Sequence, residues 1–196
     1  KIKKDTKIHL LGFGKIDRIK EFEKYNIFSI DTTSPLLRAF KDKKRNLFMP
    51  GKKNELTYYT AFRIPQSSEN RALMRLIKNN LFSYEEVHTK EKYALSSLRS
   101  FGDGNSQLEE TLQSLIEYSK IHITDHENPN KDNSDKLEII YKDYKKLLQD
   151  KPWEKCDCQV CKKCGIQMAI FRGSNRNKRR GIHNLHVFNN QLKKIL

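Results

Sequence analysis

The sequence predicts an α/β fold with a large helical region and a metal-binding segment close to its C-terminal end. Two short apolar runs within residues 7–30 flank a glycine turn and a helical pattern, which indicates a parallel β-α-β unit. Helical spacing of apolar residues dominates positions 66–152. All 4 cysteines lie between positions 156 and 164, and such clustering is typical of a metal site.

Composition narrows the classes of partner. The 196 residues carry 39 Lys+Arg against 24 Asp+Glu, a net charge of +15, which favours a polyanion such as nucleic acid. We find no apolar run of membrane-spanning length and no signal-peptide pattern, so neither a membrane span nor export is expected. Clustered thiols indicate a cytoplasmic location. The chain opens at Lys1 rather than Met, which favours a fragment.

The first strands end at candidate site residues. Residues 7–11 are predicted to form a buried strand that stops at the glycine turn 12–14, a helix is predicted for 16–25, and a second strand for 27–30. Functional groups gather at the carboxyl ends of parallel strands, so Gly12 and Asp31 are candidates. An aspartate at a strand end can equally be a helix or turn cap.

The cysteines follow the pattern C-x-C-x2-C. Cys156, Cys158 and Cys161 supply three soft ligands, and a histidine about twenty residues later completes the set that a structural zinc ion requires. His186 complicates the choice of histidine, and Cys164 as the fourth ligand is the alternative.

The remaining segments have simpler patterns. Helices are predicted over 70–82, 108–121, 137–148 and 183–196, loops at 102–104 and 126–134, a strand pair or strand-turn over 54–65, and a strand or short helix over 165–171. A basic loop is predicted for 172–181, where like charges repel unless an anion is close. It offers phosphate contacts or is simply solvated, and the candidates are Arg172, Arg176, Lys178, Arg179 and Arg180.

Three motifs together carry a family resemblance: the glycine turn, the strand end that carries Asp31, and the cysteine-histidine set. LLGFG at 10–14, a helix, IDTTSP at 30–35, the cysteine motif and His-Asn at 183–184 occur in this order. The chain thereby resembles the C-terminal portion of the tRNA-guanine transglycosylase family. The resemblance implies the last strands of a (β/α)8 TIM barrel, with Asp31 as the nucleophile and Leu11 and Gly12 lining the base pocket. It implies Zn²⁺ held by Cys156, Cys158, Cys161 and His183.

Departures from that pattern point to one branch of the family. Pro35-Leu-Leu-Arg38 stands where Pro-Thr-Arg is usual, so the nucleic-acid contacts are expected to be rearranged around Arg38. The strand end, the YYTAFRIP segment, the long insertion and the FRGSNRN run are similar to the DNA-modifying transglycosylases. The expected division is barrel strands in 1–65, a helical insertion in 66–152 and a zinc-binding subdomain in 153–196.

The function that the resemblance implies is base exchange in nucleic acid. The enzyme would replace guanine by a 7-deazaguanine base, 7-cyano-7-deazaguanine in DNA, through a covalent aspartyl intermediate. The alternatives are action on tRNA, or a non-catalytic zinc-containing nucleic-acid-binding module or partner subunit. A homodimer or a partner protein is compatible with each of them. A second acid-base residue and the base-recognition residues are expected upstream of Lys1.

Overall fold

The chain is described by a computed structural model covering residues 3, 5–14, 16–22, 24–51 and 55–194. It mixes helices with three two-stranded sheets. The strands are β1 (Ile8–Leu10), β2 (Ile27–Ile30), β3 (Leu47–Pro50), β4 (Leu56–Tyr59), β5 (Phe62–Arg63) and β6 (Ile170–Phe171). The helices are α1 (Ser34–Lys41), α2 (Arg71–Lys78), α3 (Tyr84–Gly102), α4 (Leu108–His122), α5 (Ser134–Asp150), α6 (Pro152–Lys155), α7 (Gln159–Cys164) and α8 (Ser174–Leu192).

The first unit is a parallel pair of strands, as predicted. β1 pairs with β2, but the segment between them is a 3-10 helix over Ile16–Phe22 rather than an α-helix. Within the described part of this segment Ile19 is buried and Phe22 is half-buried. The strand predicted within residues 7–11 is confirmed as β1, but its predicted burial is wrong, because β1 is only partly buried and Leu11 is 80% exposed. Phe28 in β2 is also exposed.

Helices α1 and α8 pack closely, although they are remote in sequence. Pro35 lies in the first turn of α1, where a missing backbone N–H does no harm. Gly181 lies on the facing side of α8, and a Cβ atom there would come within 3.0 Å of Leu36 Cδ2. The glycine therefore allows the close approach of the two helices.

The segment 54–65, predicted as a strand pair or strand-turn, contains two strands, but they do not pair with each other. β4 pairs with β3 in antiparallel fashion, and β5 pairs with β6 in parallel fashion. The pairing of Phe62 with Ile170 brings together segments separated by more than one hundred positions, which local sequence patterns do not reveal. Asn54 lies outside the described residues. The segment 165–171 contains both predicted alternatives, a 3-10 helix over Gly165–Ala169 followed by β6.

The helical region shares one core with the strands. The buried cluster joins Phe62 of β5 to Leu98 of α3, Leu115 of α4 and Leu147 of α5, and it reaches Cys161. Helices α2, α4 and α5 match the predicted helices approximately, whereas α3 was not predicted. Its buried face includes a glutamate and two small residues, which obscures the apolar stripe. Among the described residues, no helix is long and apolar enough to cross a membrane.

A buried ion pair crosses this core. Glu91 of α3 is 3% exposed, and it contacts the guanidinium of Arg172, which also donates to the Ile64 carbonyl at 3.2 Å. Glu91 accepts a second hydrogen bond from the Ser67 backbone N–H at 2.6 Å. Burial opposes ionisation of Glu91, but the hydrogen bonds from Ser67 and Arg172 outweigh it and lower the pKa of this carboxyl. The pair fixes α3 against the end of β6.

Replacing the buried carboxylate tests this arrangement. Glu91→Gln leaves the Arg172 charge buried without a counter-charge, and we expect a loss of about 3 kcal/mol in the free energy of unfolding. The matched change Glu85→Gln, at an exposed position of the same helix, should alter it by less than ~0.5 kcal/mol. Urea denaturation measures both, and equal stability of the two variants contradicts a stabilising role for the pair.

Candidate functional site

Three cysteine sulfurs and one imidazole nitrogen converge near the C-terminal helix. Cys156, Cys158, Cys161 and His183 place their ligand atoms within 4.8 Å of one another. His183 Nδ1 lies 3.5, 3.5 and 3.3 Å from the three sulfurs in that order. Zinc bonded tetrahedrally to sulfur at ~2.3 Å and nitrogen at ~2.0 Å separates these ligand atoms by about 3.5 Å. The four side chains could therefore hold a metal ion, and their donor set is compatible with zinc.

Local structure places each thiol. Cys158 is the residue before α7, and its sulfur accepts the Cys161 backbone N–H at 3.3 Å. This cap directs both sulfurs to the same side of the helix start. Cys156 precedes it at the end of α6, and a hydrogen bond from Cys161 lowers the pKa of Cys156 to about 4, while the pKa of Cys161 is raised. The thiolate is the form of cysteine that binds a metal.

The histidine is oriented by a backbone carbonyl. His183 is fully buried on α8, and its Nε2 lies 2.7 Å from the Phe48 carbonyl oxygen of β3. A proton on Nε2 satisfies that carbonyl and leaves Nδ1 free to face the sulfurs. A metal-binding histidine is commonly fixed in this way by a partner on its second nitrogen.

Asn184 ties the same turn of α8 to β3 and α1. Its side-chain oxygen accepts the Phe48 N–H at 2.9 Å, and its amide group donates to the carbonyls of Asn46 at 3.0 Å and Pro35 at 3.2 Å. Asn184 is fully buried, so these bonds satisfy groups that water does not reach. His183 and Asn184 together anchor α8 to the first part of the chain.

Two other residues were alternatives for the fourth ligand. Cys164 does not belong to the four-residue group. His186 points to Asp157, with Nε2 3.1 Å from Oδ1, and forms a second group with Asp157 and Cys156. That group draws on a cysteine that already belongs to the first. The histidine that faces all three sulfurs is His183.

Asp31 lies at the carboxyl ends of the parallel strand pair. Its Oδ1 accepts the Gly12 backbone N–H at 2.7 Å, and its own N–H donates to the Leu10 carbonyl at 3.1 Å. Gly12 has φ of +64°, a left-handed conformation that glycine adopts without strain. The side chain of Asp31 is 60% exposed, so its second oxygen is open to a ligand. Leu11 extends into solvent next to this pair.

A histidine that the sequence analysis did not select lies beside Asp31. His9 Nε2 is 3.7 Å from Asp31 Oδ1, and His9 Nδ1 is 2.7 Å from the Ser29 hydroxyl oxygen. The strand register pairs His9 with Ser29, two positions before Asp31. The signal available in the sequence was a polar residue at the matching position of each strand, two residues before Leu11 and Asp31.

The basic segment is helical, so the loop prediction for 172–181 is wrong. Arg180 is fully buried and donates to the carbonyls of Ile170 and Ala39 and to Asn177, so its guanidinium is not available to phosphate. Arg172 is committed to Glu91. Lys178 and Arg179 are exposed on α8.

Arg176 differs from its neighbours. It is half-buried, and its Nη1 is buried without a hydrogen-bond partner among the residues that the structure describes. Burial, and then the charges of Arg172, Arg99 and Arg179, lower its pKa. The positive charges of Arg172, Arg99 and Arg179 lie close to the Nη1 donor of Arg176. This concentration of positive charge favours the binding of an anion.

Arg38 lies in a different place, on α1. Its guanidinium carbon stands 5.8 Å from the ring centroid of Phe48 and 5.2 Å from that of Tyr58. The side chain is half-buried, and stacking on the aromatic faces holds it near β3 and β4.

Comparison with known proteins finds a relative that matches the whole chain. The chain is 37% identical over 195 residues to a protein from Salmonella montevideo named DNA-guanine transglycosylase. The alignment covers 100% of this chain and 44% of that protein, so the chain spans less than half the length of the relative. No protein-family model matches the chain.

The metal ligands can be tested one by one. Cys158→Ser removes a buried ligand, and we expect it to lose the metal and to destabilise the fold, because metal binding contributes to folding free energy. Cys164→Ser is the matched control, and it should keep one metal per chain. Elemental analysis by inductively coupled plasma mass spectrometry, together with the unfolding midpoint, distinguishes the two. Equal metal content in both variants means that the ligand set is wrong.

Proposed function

Because the chain belongs to the guanine transglycosylase superfamily and corresponds to the C-terminal portion of such a protein, we propose that it supplies the nucleophile of an enzyme that exchanges guanine in DNA. The incoming base is a 7-deazaguanine, with 7-cyano-7-deazaguanine as the candidate. DNA is favoured over tRNA by the name of the relative. The net charge of +15 fits either nucleic acid.

The observation that supports the nucleophile is the carboxylate of Asp31 at the ends of two parallel strands. One oxygen is held by Gly12 N–H at 2.7 Å, and the side chain is largely exposed. A fixed, accessible carboxylate is suited to attack on a sugar carbon, because the hydrogen bond sets its direction before substrate arrives. His9 beside it is a further positioning group.

The proposed reaction has two displacements at C1′ of the deoxyribose. An Asp31 oxygen forms a bond to C1′ as the bond from C1′ to guanine N9 breaks, and guanine leaves after taking up a proton. The incoming base loses its N9 proton, and N9 then attacks C1′ and releases the carboxylate. Two inversions retain the configuration of the sugar. The groups that move these protons are not assigned to described residues of this chain.

The strand pair is proposed as part of a (β/α)8 barrel, with Leu11 and Gly12 lining the base pocket. Two features support this. The strands are parallel, and they expose Leu11 and Phe28, which are apolar side chains of the kind that a neighbouring layer covers. The backbone of Gly12 carries no side chain, so a flat base can approach it closely.

The metal is proposed to be zinc in a structural role. Four protein ligands close a tetrahedral site and leave no position for water or substrate, which is the pattern of structural zinc. A metal here would link α6 and α7 to α8, and through the hydrogen bonds of His183 and Asn184 it would hold β3 as well.

The nucleic-acid interface is proposed to include Arg176, Lys178 and Arg179 of α8, with Arg38 on α1. Arg176 supports this best, since its unpaired Nη1 and the neighbouring Arg99 and Arg179 offer an anion several donors. Arg172 contributes charge while remaining bound to Glu91. Phosphate contacts of this kind are independent of sequence and weaken as salt increases.

Covalent capture tests the nucleophile. The protein in its natural length is incubated with labelled double-stranded DNA or tRNA, denatured, and analysed by gel electrophoresis. An adduct with DNA is expected for the unchanged protein and for Asp135→Asn, an exposed carboxylate of α5, but not for Asp31→Asn. An adduct formed by Asp31→Asn would show that Asp31 is not the nucleophile. An adduct with tRNA alone would identify tRNA as the substrate.

Salt dependence tests the proposed interface. If Arg176 and Arg179 each contact a phosphate, their joint replacement by Ala should lower the slope of log K against log salt by roughly two. The matched pair Arg71→Ala and Arg75→Ala, on exposed positions of α2, should leave the slope unchanged. Fluorescence anisotropy with a duplex measures both. Identical slopes for the two double variants contradict the assignment.

A further inference from the structure

A cavity of about 420 Å³ lies between the helical region and β5, away from Asp31 and from the cysteine cluster. Its wall comes from five parts of the chain: the segment after α1, the residue after β4, β5, the end of α4, and the N-terminal part of α5. The volume falls in the range of roughly 300–1,000 Å³ in which proteins bind small molecules.

The rim of this cavity is strongly basic. Lys43, Lys44, Arg63 and Lys136 line it, against one carboxylate, that of Asp143. Asp143 accepts a hydrogen bond from the Thr60 hydroxyl at 2.8 Å, and none of the four cations forms an ion pair with any residue that the structure describes. The excess positive charge favours an anionic group such as phosphate.

An unsatisfied histidine atom lies in the wall. His122, the last residue of α4, has a buried Nε2 that finds no hydrogen-bond partner in the described part of the chain. Burial, and then the charge of Arg63, lower the pKa of His122 to about 4, so the imidazole is neutral at physiological pH. Nε2 of the neutral imidazole can therefore donate or accept a hydrogen bond with a ligand, depending on the tautomer, and it adds no positive charge to the cavity.

The floor of the cavity is apolar. Ile123, Ile139 and Ile140 line it beside the ring of Tyr144, and Ile139 remains 44% exposed. Apolar and aromatic groups below a basic rim match a ligand with one flat apolar face and one anionic end. Inorganic phosphate would leave this floor uncovered.

We propose that this cavity is a binding site for a nucleoside phosphate. The phosphate contacts the lysines of the rim, the base lies on the isoleucine floor, and His122 bonds to the base or sugar. The phosphate belongs either to a nucleotide of bound DNA or to a free nucleotide. The inference goes beyond the proposed base exchange and does not depend on Asp31.

Calorimetric titration of the full chain tests the site with 2′-deoxyguanosine 5′-monophosphate. Replacement of both Lys44 and Lys136 by Ala should weaken binding at least tenfold, since both are exposed and their loss removes charge without disturbing the core. The control pair Lys92→Ala and Lys193→Ala, exposed and outside the cavity, should bind as the unchanged chain does. Inorganic phosphate should bind at least tenfold more weakly than the nucleotide.

Three results overturn the proposal: no nucleotide binding at millimolar concentration, equal loss in both double variants, or equal affinity for nucleotide and inorganic phosphate. Measuring duplex binding with the same variants distinguishes the two sources of the phosphate. If replacing Lys44 and Lys136 lowers the slope of log K against log salt for DNA, the site binds a nucleotide of the DNA strand. If the slope is unchanged, the site binds a free nucleotide. Covalent capture through Asp31 is measured independently, so either proposal can fail without the other.

Discussion

The hydrogen bonds of His183 and Asn184 to β3 are the constraint on which the rest of the structure depends. Two adjacent residues of one helix satisfy both the N–H and the carbonyl of Phe48, more than one hundred positions earlier in the chain. The same histidine faces three thiols on its other nitrogen, so His183 belongs both to the metal-ligand cluster and to the packing of α8 on β3. Loss of either interaction is expected to weaken the attachment of α8 to β3.

The basic residues of segment 172–181 have different roles, because some of their charges are buried and others are exposed. Arg180 fills a position inside the fold and bonds to backbone carbonyls of α1 and β6, and Arg172 neutralises Glu91. Their positive charges contribute to the architecture, while Lys178 and Arg179 remain at the surface. Arg176 lies between these two groups, with one donor buried and unpaired. The five cations of residues 172–181 thus divide between the interior and the surface of the protein.

The proposed catalytic region contrasts with the well-packed remainder. Asp31, Leu11 and Phe28 are exposed at a two-stranded sheet, whereas the helical region and the cysteine cluster share one apolar core. Proposed chemistry and fold stability therefore lie in different parts of the chain. Substitutions at Asp31 can be interpreted through reactivity, while substitutions at the cysteines, Glu91 or Asn184 act first on folding. The basic cavity belongs to the helical part, which extends the possible ligand contacts beyond the strand ends.

The sequence by itself determined the elements that depend on near neighbours. The parallel pair β1 and β2, the helices α2, α4 and α5, and the spacing of Cys156, Cys158 and Cys161 follow from apolar periodicity and short motifs. Helix α3 does not, because its buried face includes a glutamate and two small residues. Tertiary structure alone decided that β5 pairs with β6, that His9 lies beside Asp31 and that Arg180 is buried. It also placed Glu91 against Arg172 and opened the cavity around His122. Each of these contacts joins residues distant in the chain, and local patterns carry no information about which distant segment becomes a neighbour.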